Sequence, residues 1–533
     1  MSSGPAVVVL STIKTVSIMN PSGSTTSVWM GVSPTRQFPA LQENLDCDVC
    51  VIGAGIAGLT TAYNLAKEGK KVIVMEKYPQ VAQGETSRTT AQLTYFTDYP
   101  YSQLKRFHGD EVQMIMESHR YGIETIGQIA REEGIDCDYR QVPVFLFAPR
   151  EKDVKLLDKE QEILTDMGID VVRHARIPVE GLPAYPCIEV GDLAQIHALK
   201  YMYGLAEAVQ RLGVSIYCNT RATEIDEEKE GVTVQTESGH TIRCTDLVTA
   251  TNSPISEVLG VHLKQAAFRS YVVGLRVEKG ALPYAIFWDT LDPYHYVRLV
   301  EMPDHDVLIA GGEDHHTGRN EDGGETEERF HHLAAWARQT FPQCGELLYQ
   351  WSGQVMESVD GIGYNGRHAD DKHVYIITGD TGSGTTNATL GARIVTDQIM
   401  GRENPWEKLY RPSRVTLRAG DELIKEGSQA FWQFKDYLTP GDDDKDTNIP
   451  AGTGVLIREG LRKVAVYKDE AGQMHRLSPV CTHVGCIVHW NAIEKTWDCP
   501  CHGSRFDGYG KVLNGPALQD LEKLEEKEPT EKF

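Results

Sequence analysis

The sequence has no long uninterrupted apolar run. The apolar segment near its start, PAVVVLSTIKTVSIM at 5–19, is interrupted by Ser11, Thr12, Lys14 and Thr15, and no basic residue precedes it. A signal peptide needs a basic flank and a continuous apolar stretch, and a membrane span needs about twenty apolar residues. We therefore expect an N-terminal extension, frayed or added to the edge of a sheet, and no integral membrane segment.

The sequence also has no excess of basic residues. Its 53 Lys and Arg face 76 Asp and Glu, which gives a formal net charge of −23. This charge opposes binding to nucleic acid and to anionic membrane surfaces, so a small molecule or a basic protein partner is expected instead. With 533 residues, of which 41% are hydrophobic, the chain is too long for one compact core and indicates two or three domains.

Cysteines outside the C-terminal segment lack the regular spacing of a disulfide framework. Seven of the eleven are scattered over 47–344. Isolated thiols of this kind are typical of buried cysteines in a reducing compartment, which indicates a cytoplasmic protein.

What the chain does have near its start is a strand, a glycine-rich turn, a helix and a second strand. The apolar runs VCVIG and KVIVME suit buried parallel strands, and the turn reads GAGIAG. Gly53 permits the tight turn, Gly55 lets backbone amides approach a pyrophosphate, and Gly58 lets helix and strand pack closely. Glu76, at the end of the second strand, suits ribose hydroxyls. The unit predicts a dinucleotide site; the motif alone does not separate FAD from NAD, and a βαβ unit without ligand is the alternative.

The last part of the chain carries an unusual set of cysteines and histidines. It contains CTHVGC, with Cys481 and His483, and CPCHGS, with Cys499 and His502. Each loop thus supplies one cysteine and one histidine. Zinc fingers usually keep their cysteines together and their histidines together, whereas a Rieske [2Fe-2S] centre takes two cysteines on one iron and two histidines on the other. A Rieske cluster is predicted, with zinc as the alternative.

This segment, over 445–525, resembles the Rieske domains of cytochrome bc-type complexes down to both loops. The resemblance implies that Cys481 and Cys499 bind the buried iron. It also implies that His483 and His502 bind the outer iron, at an exposed tip where electrons leave the domain.

The same resemblance implies roles for four further residues. The remaining pair of cysteines, Cys486 and Cys501, is implied to form a disulfide between the two loops. Ser504 matches the serine that donates to a bridging sulfide, whereas Phe506 stands where high-potential members carry a tyrosine. The hydrogen-bond donor at Ser504 is thus kept, and the tyrosine hydroxyl is lost at Phe506. We therefore expect a reduction potential below that of the high-potential respiratory centres, within the range of about −150 to +300 mV.

Four other segments resemble flavoproteins related to D-amino acid oxidase and glycine oxidase. They lie at 84–94, 220–225, 245–254 and 374–399. The last contains a glycine-rich loop before a helix, whose N-terminal amides suit the edge of a reduced isoalloxazine ring. The resemblance spans about 45–400 and implies FAD rather than NAD.

The flavin is implied to be non-covalent. Relatives that attach it covalently use a histidine in the first of these segments, where this chain has Thr89, Thr90 and Ala91. The residues implied to contact FAD are Gly53, Gly55, Ile56, Ala57, Gly58, Glu76, Lys77, Arg88, Thr89, Thr90, Ala91, Ala222, Thr251, Asn252, Asp380, Gly382, Gly384, Thr385 and Thr386.

The middle of the chain is implied to form a mixed sheet over the flavin. The side chains implied to reach a substrate from it are Tyr271, Tyr294, Tyr296 and Arg298, with His315 as a further candidate. An arginine there would suit an amino-acid carboxylate through a bidentate pair. The alternative is that alternating tyrosines and arginines on a strand are packing and surface residues.

These expectations describe an α/β FAD-binding domain of the Rossmann-like, glutathione-reductase type with a mixed-sheet substrate domain, plus a small all-β Rieske domain. The expected limits are 1–44 for the N-terminal extension, 45–410 for the interleaved FAD-binding and substrate domains, 411–444 for a linker, 445–525 for the Rieske domain and 526–533 for a charged tail.

The implied function is that of a dehydrogenase. It would oxidise a small amine or amino acid at FAD and pass electrons singly through the cluster to a protein or quinone acceptor. Two alternatives stay open. In the first, the cluster feeds electrons to FAD for reduction or desaturation of a specialised metabolite. In the second, the chain is a redox sensor or electron-transfer module without organic substrate, in which case side chains would block the flavin face.

Overall fold

The computed structural model describes residues 23–31, 36–256, 260–319, 323–368, 371–420, 449–460 and 462–525. The first part of the expected N-terminal extension, most of the expected linker and the whole charged tail lie outside the described residues. Within the described ranges, no helix is long and apolar enough to cross a membrane.

The described residues form three groups of strands, with most of the helices in the first two thirds of the chain. The strands are β1 (Leu45–Ile52), β2 (Val72–Met75), β3 (Gln92–Leu93), β4 (Arg140–Phe147), β5 (Val171–His174), β6 (Cys187–Gln195), β7 (Ser215–Tyr217), β8 (Ala222–Glu228), β9 (Gly231–Thr236), β10 (Thr241–Thr249), β11 (Gln265–Val277), β12 (Ile286–Asp289), β13 (Tyr296–Glu301), β14 (Asp306–His316), β15 (Leu347–Ser358), β16 (Tyr364–Arg367), β17 (Val374–Thr378), β18 (Thr453–Glu459), β19 (Arg462–Lys468), β20 (Met474–Leu477), β21 (His489–Asn491), β22 (Thr496–Asp498), β23 (Arg505–Asp507) and β24 (Val512–Asn514). The α-helices are α1 (Ile56–Lys67), α2 (Tyr101–His108), α3 (Val112–Glu132), α4 (Val154–Asp166), α5 (Ala198–Arg211), α6 (Gly323–Thr340), α7 (Gly384–Ile399) and α8 (Glu407–Tyr410).

The first sheet is parallel at its centre. Its strands follow the order β16-β17-β10-β1-β2-β7, and β1 pairs in parallel with both β2 and β10. Val51, for example, lies opposite Val74 on one side and Val248 on the other. Strands covered on both faces are apolar throughout, and all four residues of β2 are buried. Helices α1 and α7 pack against each other over this sheet, so that the glycine-rich turn and the start of α7 lie at the same edge.

The second sheet is mixed and lies beside the first. Its strands follow the order β15-β11-β14-β13-β12-β4-β6-β3, with β12 and β4 parallel and the other neighbouring pairs antiparallel. One face packs on α6 through a core that includes Val273, Phe287, Leu308 and Phe330. The other face is left to form a wall opposite the first sheet.

The C-terminal part is made of short antiparallel strands. Strands β18 to β20 form one sheet and β21 to β24 form another, around a core that includes Leu456, Trp497 and Phe506. This architecture confirms the predicted fold class. Its three predicted parts are an α/β unit, a mixed sheet and a small all-β unit.

The described part of the N-terminal extension is packed rather than frayed. Thr26 forms an isolated antiparallel bridge with Gln350 at the edge of the mixed sheet. Trp29 is fully buried, and its Nε1 donates a hydrogen bond of 2.6 Å to the Thr89 carbonyl. The extension therefore touches the sheet edge at Thr26 and continues as a short 3-10 helix over Val28–Gly31.

Candidate functional site

The glycine-rich turn is required by close backbone contacts. Gly53 has a φ of +106°, and a Cβ on it would lie 2.5 Å from the Ala250 carbonyl oxygen. A Cβ on Gly58 would lie 1.8 Å from the carbonyl oxygen of Gly53. No side chain fits either position, which explains the spacing of this motif.

Glu76 directly follows β2 and holds the turn. Its carboxylate accepts hydrogen bonds from the backbone amides of Ala54, at 2.8 Å, and Tyr78, at 3.0 Å. Burial raises the pKa of this carboxyl, and the two amides act in the opposite direction. Each carboxylate oxygen can accept a further hydrogen bond, and Glu76 lines the space beside the turn, as a residue that binds ribose hydroxyls would.

A cavity of about 270 Å³ begins at this turn and continues to the mixed sheet. Most of the residues predicted to contact FAD line it: Gly53, Gly55, Ile56, Ala57, Glu76, Lys77, Arg88, Thr89, Thr90, Ala222, Thr251, Asn252, Asp380, Gly382, Gly384 and Thr385. Gly58, Ala91 and Thr386 do not line it. Gly58 packs on the turn, Ala91 is fully buried, and the Thr386 hydroxyl lies 3.0 Å from Nδ1 of His119.

The start of α7 supplies the far side of the cavity. Gly384 and Thr385 are its first residues, so their amide groups have no partner within the helix. Asp380 precedes them; burial raises the pKa of its carboxyl to about 7, although the amide of Met356 opposes this shift. A Cβ on Gly382 would lie 1.9 Å from Oδ1 of Asp98, so glycine is needed where this loop crosses the cavity.

The structure fits FAD in three respects: a carboxylate at the ribose position, a glycine turn open to a pyrophosphate, and a helix N-terminus at the far end. Among the described residues that line the cavity there is no histidine or cysteine. A non-covalent flavin agrees with this set of side chains.

Two basic residues that line the cavity, Lys77 and Arg88, also bind the C-terminal unit. The Lys77 ammonium donates to the carbonyl of Leu513, and Tyr78 donates to the same carbonyl at 2.6 Å. Arg88 donates to the Ser352 carbonyl at 2.7 Å and pairs with Glu494 at 3.1 Å. Sequence reasoning also missed that the C-terminal unit itself lines the cavity, through Val512, Asn514, Gly515, Ala517 and Leu518.

The mixed sheet closes the other end of the cavity with aromatic and acidic side chains. Tyr294 and Tyr296 line it, as predicted for a substrate site, together with Trp288, Asp98 and Asp314. The Tyr294 hydroxyl donates to Asp98, and the rings of Trp288 and Tyr294 stack with centroids 5.8 Å apart. The two aspartates lay outside the predicted set because nothing in the sequence separates them from surface acids.

Tyr271 and Arg298, also predicted at the substrate, lie away from the cavity. Tyr271 is buried on the opposite face of the sheet, with its ring 5.1 Å from that of Phe330. Arg298 donates to the carbonyls of Ala91, at 2.7 Å, and Ile196, at 3.0 Å. His315 packs on Tyr271, at 5.6 Å, rather than in the cavity. Their roles in the structure are packing and backbone support.

The two cysteine and histidine loops share one backbone arrangement. The amide of Cys481 donates to the Cys486 carbonyl at 2.8 Å, and the amide of Cys499 donates to the Ser504 carbonyl at 2.8 Å. Because both loops turn in the same way, each presents its cysteine and its histidine to the same point.

The four predicted cluster ligands lie together at that point. The rings of His483 and His502 have centroids 5.0 Å apart. A hydrogen bond with Cys499 lowers the pKa of the Cys481 thiol, and the same contact raises that of Cys499. Both ring nitrogens of His502 are buried and make no hydrogen bond within the described residues. Buried donors and acceptors are normally satisfied, so this set fits a metal cluster better than a structural core.

The residues around the ligands also lie where they were expected. Ser504 is fully buried; its hydroxyl accepts from the Ala517 amide at 3.0 Å and also bonds to Cys481. Phe506 is fully buried in the same core. Cys486 and Cys501 are paired at bonding distance, with Cα atoms 6.4 Å apart.

The two histidines do not form an exposed tip. The ring of His262, on the flavin side, lies 5.0 Å from that of His483 and 5.6 Å from that of His502. A Cβ on Gly503 would lie 2.4 Å from Cβ of Ala267 on β11. The FAD-binding part of the same chain therefore packs against this tip, which was expected at the surface, and leaves His502 buried and His483 half-buried.

Glu494 holds this arrangement from the hairpin between β21 and β22. It is buried, and its carboxylate pairs with Arg88 at 3.1 Å and Arg269 at 3.2 Å. Although burial alone raises the pKa of Glu494, the charges of Arg88, Arg269 and Arg505 bring it down to about 2. A single acidic residue in a hairpin turn carries no sequence signal for such a role.

Comparison with known proteins agrees with both sites. Residues 48–398 match the family described as FAD dependent oxidoreductase, and residues 442–525 match the Rieske [2Fe-2S] domain. The Rieske 2Fe-2S iron-sulfur protein YhfW of Bacillus subtilis (strain 168) is 30% identical over 503 residues, which cover 93% of this chain and 97% of that protein.

Two further relatives match the flavin part. The gamma-glutamylputrescine oxidoreductase of Escherichia coli (strain K12) is 24% identical over 421 residues, covering 75% of this chain and 95% of that protein. The crystal structure of glycine oxidase from Geobacillus kaustophilus superposes with a TM-score of 0.58 at 19% identity, covering 70% of this chain and 100% of that one, which shows the shared fold. The two predicted cofactors, FAD and a Rieske [2Fe-2S] cluster, are confirmed by the domain matches.

Proposed function

The chain belongs to the family of FAD-dependent oxidoreductases and carries a C-terminal Rieske [2Fe-2S] domain, and from this premise we propose that it is a dehydrogenase for a small amine or amino acid. Its substrate is oxidised at the C–N bond, and the electrons leave singly through the cluster to an external one-electron acceptor. FAD, when bound, takes up two electrons as a hydride, whereas the cluster carries one electron at a time.

The observation that carries this proposal is a side chain shared by both sites. Gln354, on β15, lines the FAD cavity, and its Nε2 donates a hydrogen bond of 3.1 Å to the carbonyl of Gly503, the residue after the cluster ligand His502. The two sites are thus adjacent within one chain. Electron exchange between them needs no second copy of the protein.

The residues of this chain have distinct tasks in such a reaction. Gly53 and the start of α7 leave room for the cofactor and its charge. Trp288 and Tyr294 shape the space above it, and Asp314 accepts the proton that the substrate nitrogen loses. The side chains leave a cavity here, which supports an enzyme over the redox module whose flavin face would be blocked.

Three finer features are part of the proposal. The FAD is non-covalent, the Cys486 and Cys501 pair is a disulfide in the mature protein, and the protein is cytoplasmic. The cytoplasmic location rests on the free thiols of the FAD-binding part, most of which are buried.

The test is an anaerobic assay in two stages. Purified protein is mixed with a panel of amines and amino acids, and flavin absorbance reports oxidation of the substrate. Cytochrome c, a one-electron acceptor too large for the cavity, then reports electrons leaving the protein. We expect flavin bleaching with some members of the panel, followed by cytochrome reduction. No bleaching across the panel contradicts the proposal.

Two pairs of variants locate the electron path. Cys481→Ser should keep flavin bleaching and lose cytochrome reduction, whereas Cys344→Ser, which changes a thiol far from the cluster in sequence, should keep both. Gln354→Ala should slow electron exchange between the sites, measured by rapid mixing and normalised to FAD and iron content. Gln350→Ala, an exposed position on the same strand, should not. Unchanged cytochrome reduction in Cys481→Ser contradicts exit through the cluster.

The order in which the flavin and the cluster are reduced distinguishes the proposed electron flow from the reverse flow, from cluster to FAD. In an anaerobic dithionite titration followed by absorption and low-temperature EPR, a cluster that is reduced before the flavin supports the proposed direction. A flavin that is reduced first supports the reverse one.

A further inference from the structure

The substrate end of the cavity is acidic and aromatic. It is formed by Asp98, Ser270, Trp288, Tyr294, Tyr296 and Asp314. Among the described residues that line the whole cavity, the basic ones are Lys77, Arg88 and Arg221, and all three are bound elsewhere. Lys77 donates to Leu513, Arg88 pairs with Glu494, and Arg221 pairs with Asp520 at 3.0 Å.

The arginines of the mixed sheet do not face this end of the cavity either. Arg298 is bound to backbone carbonyls, at 2.7 Å to Ala91, and lies outside the cavity lining. Arg269 is fully buried and pairs with Glu494 at 3.2 Å. His295, whose charge acts on Asp314, does not line the cavity and is paired with Asp289 at 2.8 Å. Among the described residues that line this end of the cavity, a substrate carboxylate would therefore meet two aspartates and no cation, which charge repulsion and desolvation both disfavour.

Asp314 has an acceptor that nothing in the described protein uses. Its Oδ1 is buried at the wall of the cavity and makes no hydrogen bond within the described residues. Ser270 bonds to the Asp314 carboxylate, and Asp98 accepts from the Tyr294 hydroxyl, so Oδ1 of Asp314 is the oxygen left without a partner among the described residues. A buried carboxylate oxygen without a donor is uncommon in native proteins and indicates that a ligand supplies the donor.

The aromatic residues beside it favour the same kind of ligand. Trp288 and Tyr296 have ring centroids 6.4 Å apart, and Tyr294 lies 6.0 Å from Tyr296. Space for Tyr296 is kept open by Gly311, where a Cβ would lie 2.1 Å from the Tyr296 ring. Several aromatic rings around one small space, with a carboxylate at its side, form a recurrent site for ammonium ions.

We infer that the substrate is a cationic amine with no carboxylate next to its amino group, and that Asp314 and the rings of Trp288, Tyr294 and Tyr296 bind its ammonium group. This inference rests on the proposed function and narrows its substrate class. It departs from an amino-acid substrate, for which Arg298 was the predicted carboxylate partner.

The reaction of such a substrate balances with the groups named. The ammonium R–CH2–NH3⁺ gives one proton from nitrogen to Asp314. The C–H bond next to nitrogen then breaks with its electron pair, for which the FAD held in the cavity would be the hydride acceptor. The product is the iminium R–CH=NH2⁺. Water then adds to it, and the aldehyde R–CHO and NH4⁺ leave.

The first test uses the unaltered protein with its cofactors. Amines are paired with the amino acids that differ from them only by the carboxylate: 3-methylbutan-1-amine with both enantiomers of leucine, and 2-phenylethylamine with both enantiomers of phenylalanine. Anaerobic flavin bleaching is expected with the amines and not with the amino acids. Bleaching by the amino acids alone overturns the inference while leaving the proposed dehydrogenase in place.

The second test measures binding without turnover. Tetramethylammonium and pivalate have nearly the same shape and opposite charge, and each is titrated against the oxidised protein while the flavin spectrum reports occupancy. We expect tetramethylammonium to bind and pivalate not to bind. The opposite order overturns the inference. Binding of tetramethylammonium together with no bleaching by any amine or amino acid would instead support the cation site and defeat the proposed oxidation.

Variants then assign the binding to one carboxylate. Asp314→Asn should weaken tetramethylammonium binding by roughly tenfold or more, while Asp304→Asn, an exposed change in the turn between β13 and β14, should leave it unchanged. If Asp314→Asn does not fold, Asp314→Glu keeps the charge and should retain binding. Equal affinity in Asp314→Asn and the unaltered protein overturns the role of Asp314.

Discussion

The ring of His262 lies edge-on against the ring of the cluster ligand His502, with centroids 5.6 Å apart and planes at 60°. His262 belongs to the FAD-binding part and is itself buried; its Nε2 lies 3.1 Å from the carbonyl of Pro254. Pro254 follows Asn252, which lines the FAD cavity, by two residues. A short series of contacts thus connects the outer face of the cluster site with the flavin site.

Truncation of His262 should raise the reduction potential of the cluster. The reduced cluster carries one more negative charge than the oxidised one, and water admitted by His262→Ala would stabilise that charge. A tenfold stabilisation corresponds to about 60 mV for a one-electron couple. His262→Phe keeps an apolar ring in place and should leave the potential close to its original value. An EPR-monitored redox titration measures both, and an unchanged potential in His262→Ala would rule out shielding by this residue.

Glu494→Gln should weaken the contact between the two parts of the chain. The change leaves Arg88 and Arg269 buried without a countercharge, and removal of one partner from a buried ion pair costs on the order of 3 kcal/mol. Differential scanning calorimetry should show a lower midpoint for the C-terminal part. Glu470→Gln is the matched control, because Glu470 pairs with Lys495 at an exposed site, where ion pairs contribute little. Equal midpoints for the two variants would contradict the role given to Glu494.

The reduction potential should respond in opposite directions to two changes beside the cluster. Ser504→Ala removes a hydroxyl that bonds to Cys481, so electron density on the sulfur rises and the potential falls. Phe506→Tyr adds a hydroxyl at the position where high-potential relatives have one, and should raise it. Protein-film voltammetry gives both values. A fall in Phe506→Tyr, with cluster content intact, would show that the added hydroxyl does not reach a sulfur.

Much of the fold and of both cofactor sites could be predicted because short-range rules govern them. Glycine at position 58, for example, is required by the nearby backbone carbonyl of Gly53. The alternation of one cysteine and one histidine in each loop follows from the chemistry of the two irons. Such patterns are local, so they are visible in the sequence before any tertiary contact is known.

The rest depends on contacts between distant segments. Glu494 and Arg88 are 406 residues apart, and nothing near either residue indicates the other. Arg298 was predicted at the substrate as a partner for a carboxylate, and it lies two residues after Tyr296, on the same face of β13. Tyr296 lines the cavity, yet the Arg298 guanidinium is bound to the carbonyls of Ala91 and Ile196. His262 likewise lies against the cluster histidines because two domains pack together. No local pattern in the sequence specifies that packing.

Loss of the link between Cys486 and Cys501 should destabilise the cluster site. The two residues are 15 positions apart, and closing a loop of that length contributes about 3 kcal/mol. The double variant Cys486→Ser, Cys501→Ser should therefore bind less iron and lose it at lower temperature, as followed by absorbance. The variant Cys47→Ser, Cys344→Ser, which changes thiols of the FAD-binding part, is the control. The same iron content and thermal loss in both double variants would mean that the link is not formed.

Several charged groups determine when Asp314 is ionised. Burial raises the pKa of Asp314 to about 7; repulsion by Asp98 acts in the same direction, a hydrogen bond with Ser270 and the charge of His295 lower it, and Glu313 raises it. Asp98 has its own pKa raised to about 6 by burial, against the hydrogen bond from Tyr294. When the pH falls below the pKa values of Asp314 and Asp98, the two carboxylates are protonated and the site loses its negative charge. When the pH is above both values, both carboxylates are ionised.

Affinity for a permanent cation should therefore increase as the pH rises through about 7. Only the ionised form of Asp314 attracts tetramethylammonium, so each pH unit below the pKa of Asp314 should lower the affinity by up to about tenfold, with a plateau above it. Because this ligand does not titrate, the profile reports the protein alone. Asp314→Asn should remove the step near pH 7 and leave only the weaker dependence due to Asp98 at lower pH. A profile that is flat in the unaltered protein, or identical in the variant, would show that Asp314 does not bind the cation.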